Sequence, residues 1–245
     1  MSDEQPIEII DNAGVIQDRA LFDRYVAFRQ ALKAKLELIL GSIGRQSLVR
    51  SAERLGIWRQ GRIDSEREDS VIAMVDLALF ESEAPRSVIQ NFIEMHPPAA
   101  GDAADEAVSA AMLQSRLRIV RFDERRSDGL MPFMDVIGEE SGLMLDSQLC
   151  QMNPAKLCLL SRLVPFEGYY ISSGCALPME HEDLKQLILY LCEFNIVQIR
   201  RNGKLHIAPG RRNAMEFAVR SMRTVLLPGA TVGDRGEERQ GWDFR

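Results

Sequence analysis

Apolar positions in the first half of the chain recur every three or four residues. Phe28, Leu32, Leu36 and Ile39 share one helical face, and Gly41 and Gly44 stop the run. A second helix is predicted over Gln46–Leu55, with Leu48, Val49, Ala52 and Leu55 inward and Gly56 as its stop. The polar stretch RQGRIDSERED reads as a loop or short hairpin. A third helix starts near Ser70 and carries Val71, Ile72, Val75, Ala78 and Leu79. Pro85 suits the first turn of a fourth, which buries Ile89, Phe92 and Ile93. After the Pro- and Gly-rich MHPPAAGD, Asp102 caps a fifth helix running to Leu113.

From Arg116 the period shortens to two. RLRIVRF, LMPFMDVI, LMLDSQL, LCLLSRLVPF and GYYISSG read as strands separated by polar turns, with Pro132 at an edge or bulge and Pro178 ending the sheet. A helix over Glu182–Phe194 follows, facing Leu184, Leu187, Ile188 and Leu191 inward. Asn202-Gly203 between two apolar runs predicts a hairpin. The last helix, Arg211 to Leu226, sets Met215, Val219, Met222 and Leu226 inward and Arg212, Arg220 and Arg223 outward.

The fold class expected is α+β. A mainly helical region (1–96) leads through a linker and helix (97–115) to an antiparallel β domain (116–178), a small sheet or open barrel. A helix–hairpin–helix (179–228) and a flexible tail (229–245) complete it.

Composition agrees with a globular chain: 245 residues, 46% hydrophobic and 27% charged, with a net charge of −6. No N-terminal basic-then-apolar signal is present and no apolar run is long enough to span a bilayer. A cytoplasmic location is expected. There Cys150, Cys158, Cys175 and Cys192 serve as small buried hydrophobes rather than disulfides.

Recognisable chemistry is sparse. There is no phosphate-binding glycine loop. His96, His181 and His206 are the only histidines, and neither H-E-x-x-H nor closely spaced cysteines occur, so no metal or cofactor is expected. GYYISSG is not a nucleophile elbow. An enzyme of undetected class would need a pocket joining at least two of Cys175, His181, Asp135 and Asp146.

Charge is the uneven feature. Arg200, Arg201, Lys204, Arg211, Arg212, Arg220 and Arg223 face only Glu216 within residues 196–223, so the rest of the chain is markedly acidic. These seven are the candidate contacts for an anionic partner. A helix, a basic hairpin tip and an arginine-faced helix outline a wing-like nucleic-acid reader. The competing reading pairs them with the protein's own acids or with an acidic protein. SLVRSAERLGI has the outline of a first helix-turn-helix element, but no recognition helix follows.

The blocks LVRSAERLGIW, SVIAMVDLALFE, IEMHPPAAGDAADEAVSAAM, SRLRIVRFDERRSDGLMPFMDVIGEESGLMLDSQL and LLSRLVPFEGYYISSGCALP follow in that order over residues 45–178. Together they resemble a group of uncharacterised bacterial proteins, some labelled for a SEC-C metal-binding motif. The resemblance implies a bacterial cytosolic protein and no particular activity. The SEC-C motif needs closely spaced cysteines ending in a Cys-His or Cys-Cys pair, which this chain lacks, so no metal ligand carries over.

Three functions remain open on the sequence. First stands a non-enzymatic interaction or regulatory protein with a protein partner. The alternatives are nucleic-acid binding through 196–223 and an undetected enzyme. No membrane partner is expected, and homo-oligomerisation through a free strand edge stays open.

Overall fold

The computed structural model describes residues 16–63, 68–81, 84–138, 140–152, 157–200, 202 and 204–227. The expected tail at 229–245 lies outside them. The expected α+β class is what the chain adopts.

Helix α1 (Arg19–Ser42) starts earlier than the spacing from Phe28 suggests, because Leu21, Phe22 and Tyr25 extend its buried face. Asp18 caps it by accepting the Leu21 N–H at 3.0 Å. Helix α2 (Arg45–Leu55) ends where predicted: Gly56 takes φ +73°, and its N–H returns to the carbonyls of Ala52 and Glu53. Trp58–Arg59 (β1) and Arg62–Ile63 (β2) form the short hairpin.

Helix α3 (Glu68–Phe80) is buried on most of its circumference. Val71 is exposed, whereas Ala73, Met74 and Leu77 are buried. The reason is tertiary: α1, α2, α4, α8 and the sheet all pack around it, so no single stripe marks its inner face. Helix α4 (Val88–Met95) opens with a reciprocal capping box between Ser87 and Gln90 and buries Ile89, Phe92 and Ile93 as predicted. Helix α5 (Ala103–Gln114) begins at Asp102, whose side chain accepts the Asp105 N–H at 3.0 Å.

Strands β3 (Arg116–Phe122), β4 (Met131–Asp135), β5 (Ser141–Met144), β6 (Cys158–Phe166) and β7 (Tyr169–Met179) close into a barrel in the order β3-β4-β5-β7-β6. Its pairs are antiparallel except β5 with β7, which run parallel at Met144 and Tyr170. That corrects the expectation of a purely antiparallel sheet: closing the barrel brings the third strand beside the fifth. A five-stranded Greek-key barrel is the layout of OB-folds.

Two local expectations change here. The segment after β5 is not strand but a short helix, α6 (Ser147–Met152). Asp146 accepts the N–H groups of Gln148 and Leu149, each at 3.2 Å, and so turns the chain out of extension. Pro178 does not end the sheet, since it pairs with Leu159 and β7 runs on to Met179. The β6–β7 turn is Glu167-Gly168, both at positive φ (+47° and +82°), the geometry of a tight hairpin.

Helix α7 (His181–Glu193), strands β8 (Val197–Ile199) and β9 (Leu205–Ile207), and helix α8 (Arg211–Leu226) form the predicted helix–hairpin–helix. Phe122, Met131, Phe133, Met144 and Leu163 fill the barrel interior. Outside the barrel, Ile119, Leu160 and Leu177 share a core with Leu55, Ala73, Leu187, Leu191 and Phe217 from α2, α3, α7 and α8. A further core joins α1, α4 and α5 to Val164, Phe166 and Ile171. Residues from the helical, β and C-terminal regions therefore pack in common cores.

Candidate functional site

The described members of the basic set differ in exposure. Arg200 and Lys204 are exposed and close the hairpin end together: the Arg200 N–H donates to the Lys204 carbonyl at 2.7 Å. Asn202 Oδ1 accepts the Lys204 N–H at 3.1 Å, holding the tip. Arg201 lies outside the described residues. Arg211 opens α8, but its side chain is not among those described. Arg212 is exposed.

Arg220 and Arg223, expected to face outward, are only partly exposed. The Arg220 guanidinium lies 4.9 Å from the Tyr190 ring centre and 3.6 Å from Glu216. Arg223 packs beside Gly56. The cause is the breadth of the α8 core face: Phe217, Ala218 and Ser221 are buried alongside the four expected positions.

The four groups considered for catalysis are also separate. Asp135 is buried 3.0 Å from Arg118, and Asp146 lies 3.4 Å from Arg29. His181 is exposed at the start of α7, while Cys175 is buried in β7. No hydrogen bond or ion pair joins any two of the four. Burial, reinforced by Asp76, pushes the Cys175 thiol well above its ordinary pKa, so it stays protonated and weakly nucleophilic. Burial also raises Cys158. Among the described residues, no group of three or more His, Cys, Asp or Glu is placed to hold a metal ion.

In OB-type barrels the second and third strands present the ligand face. Here β4 and β5 turn Pro132, Met134 and Leu143 outward, with the aromatic Phe133 inside. That face offers no ring on which a base could stack.

A polar cluster that sequence reasoning passed over lies between α3 and the barrel. Arg162, 2% exposed, donates from Nε to both carboxylate oxygens of Asp76 (2.8 and 2.9 Å). It also donates from Nη2 to Asp76 (2.8 Å) and to Glu81 (2.9 Å). Its guanidinium sits 4.1 Å from the Phe80 ring centre. Burial works against the charge, but Asp76 and then Glu81 outweigh it and raise the guanidinium above its ordinary value. Ser173 Oγ reaches Asp76 at 3.5 Å. The signal was in the sequence: Asp76 interrupts VIAMVDLALF and Arg162 interrupts LCLLSRLVPF, each a lone charge inside an apolar run.

This cluster borders a cavity of about 280 Å³ between α3, α4, the end of α5, β3, β6, β9 and α8. Arg116, Arg118 and Arg162 line it with Glu81, against walls that include Ile89, Leu117, Ile207 and Phe217. A wider groove of about 900 Å³ runs between α1 and the end of α4, past Ala31, Ala34, Leu38 and Phe92. No helix among the described residues is long and apolar enough to cross a membrane.

A family model matches residues 19–194. The chain belongs to DUF7986, a family of unknown function. No curated protein and no solved structure matches it. The DUF7986 match takes in α1 to α7 with the whole barrel and stops just before β8, so the basic hairpin and α8 lie beyond it. Arg116, Arg118, Arg162, Asp76 and Glu81 all lie within it.

Proposed function

We propose that this DUF7986 protein acts as a non-enzymatic interaction or regulatory protein that docks a protein partner through α7 and the β8–β9 hairpin. One observation carries the reading. Three large apolar side chains within this short segment stand in solvent: Leu189 (65% exposed), Phe194 (55%) and Ile199 (68%). A single exposed leucine is ordinary, but such side chains gathered on one supersecondary unit suit a contact surface. Ile199 ends the hairpin's apolar face opposite Leu205, and the exposed Arg200 and Lys204 flank it. Exposed apolar side chains with cations beside Ile199 suit an apolar partner surface edged with acids.

A bacterial, cytoplasmic setting belongs to the same proposal. It is supported by the resemblance of residues 45–178 and by Cys158, Cys175 and Cys192 being free thiols. A second copy of the chain is a candidate partner under the same reading.

Nucleic-acid binding is the second reading, favoured by the exposed Arg200 and Lys204 at the hairpin end. It is weakened by the partial burial of Arg220 and Arg223, which takes two of the described cations off the surface a backbone would track.

Photo-crosslinking from positions 189 and 199 in the host cell tests the proposal. Adducts from both positions to one polypeptide, lost with Lys204→Glu, are the expected result. A nuclease-sensitive adduct would replace this reading with the second. No adduct from either position would sink both.

A further inference from the structure

The cavity between α3, α4, β3 and α8 is a separate matter from the hairpin surface. Its lining carries three guanidiniums and one carboxylate. Two of the guanidiniums are neutralised where they stand. Arg162 is held by Asp76 and Glu81, and Arg118 lies 3.0 Å from Asp135. Glu81, the lone lining acid, is itself engaged by Arg162.

Arg116 is different. Its Nη1 donates to the main-chain carbonyls of Ser115 (2.7 Å) and Leu113 (3.2 Å). Among the described residues it meets no carboxylate. The C-terminal end of α5 thus fixes one edge of this cavity-lining guanidinium, and its remaining N–H groups are left for another acceptor. Behind it lie the buried Ile89, Met112, Leu117 and Phe217. Ser87 and Gln90 also face the cavity, but each satisfies the other's backbone in the α4 cap.

We infer that this cavity binds a small organic monocarboxylate with a short apolar body, the carboxylate paired with Arg116 and the body against Ile89, Leu117 and Phe217. A planar guanidinium takes a carboxylate through two parallel hydrogen bonds. Arg116 is the one lining guanidinium with no carboxylate of its own, while Arg162 already carries two, Asp76 and Glu81, whose surplus negative charge disfavours a phosphate dianion. The volume, about 280 Å³, equals that of about nine waters at ~30 Å³ each, which limits the body to a ring or a short branched chain. Ile207 of β9 forms part of the wall, so an occupied cavity would brace the hairpin from behind.

The test uses the full-length protein and benzoate as the probe, followed by calorimetric titration. Saturable binding of benzoate at one site is expected, with neutral benzamide and inorganic phosphate failing to compete. Arg116→Gln should weaken benzoate about tenfold or more, the loss expected for one charge-assisted contact. Arg121→Gln, an exposed arginine on the same strand outside the cavity, should leave the affinity unchanged. Absence of saturable binding overturns the inference. So does equal binding of benzamide, competition by phosphate, or an Arg116→Gln protein that binds as the wild type does. None of these outcomes touches the crosslinking result at 189 and 199.

Discussion

Arg162 shows how one side chain ties a helix to the barrel. Its partners, Asp76 in α3 and Glu81 just after it, are more than eighty residues away in sequence, and all three groups lie largely out of water. Removing one partner of such a group leaves a buried charge alone, which costs more than the pair contributes. Asp76→Ala should therefore lower unfolding stability by about 3–5 kcal/mol in urea titrations. Glu81→Gln should cost distinctly less, because Glu81 is 17% exposed and Asp76 would still hold the guanidinium. Equal small losses for the two variants would show that the cluster is hydrated.

Asp135 gives a pH signature. Burial outweighs the nearby Arg118 and raises its carboxyl above the ordinary aspartate range. Gly138 makes room for this packing, since a Cβ there would lie 2.4 Å from Asp135 Oδ2. The folded protein holds the Asp135 proton more tightly than the unfolded chain does. Stability from this group is full below the ordinary pKa of about 4 and is lost as pH rises through the raised value. Wild type should thus lose stability relative to Asp135→Asn as pH climbs from about 4. Parallel stability curves for the two proteins would contradict this.

At the scale of elements, short-range chemistry decides the boundaries. α4 has only eight residues, too few to hold as an isolated helix, yet its capping box satisfies two orphan backbone donors at once. Ser87→Ala should cost about 1 kcal/mol in thermal or chemical denaturation, against near-neutral change at the exposed Asn91. Where a cap or turn residue stands in the sequence, the element was legible. Gly56 ends α2, Asp102 starts α5 and Asn202-Gly203 marks the β8–β9 hairpin. α6 was not legible as helix, because its apolar spacing is too short to separate the two periods and Asp146 alone redirects the chain. The candidate cavity was equally hidden. Arg116 and Arg118 alternate along β3 as ordinary strand charges do, and only the packing of α4, α5 and α8 over that strand turns them toward one space.

For the whole molecule, the shared cores argue against independent pieces. α2, α3, α7 and α8 bury side chains in one cluster with the outer barrel face. α1 is fastened to the barrel by Arg29, which donates to the Ser172 carbonyl at 2.9 Å, and by Arg24 beside Glu167. Unfolding should therefore be a single transition. In a Trp242→Phe background, the fluorescence of the remaining Trp58 on β1 and the far-ultraviolet helix signal should move together in denaturant. Two separated midpoints would make the helical region a domain of its own.

The amino-acid sequence by itself determined the α+β class, most element positions and the helix–hairpin–helix at the C-terminal end, because periodicity, caps and turn residues act within a few residues. Tertiary structure alone decided the parallel closure of the barrel, the burial around α3, the inward lean of Arg220 and Arg223, and the meeting of Asp76, Glu81 and Arg162. Each depends on which surfaces face one another across long stretches of chain. Local pattern cannot encode that, since the same alternation or stripe is compatible with many partners.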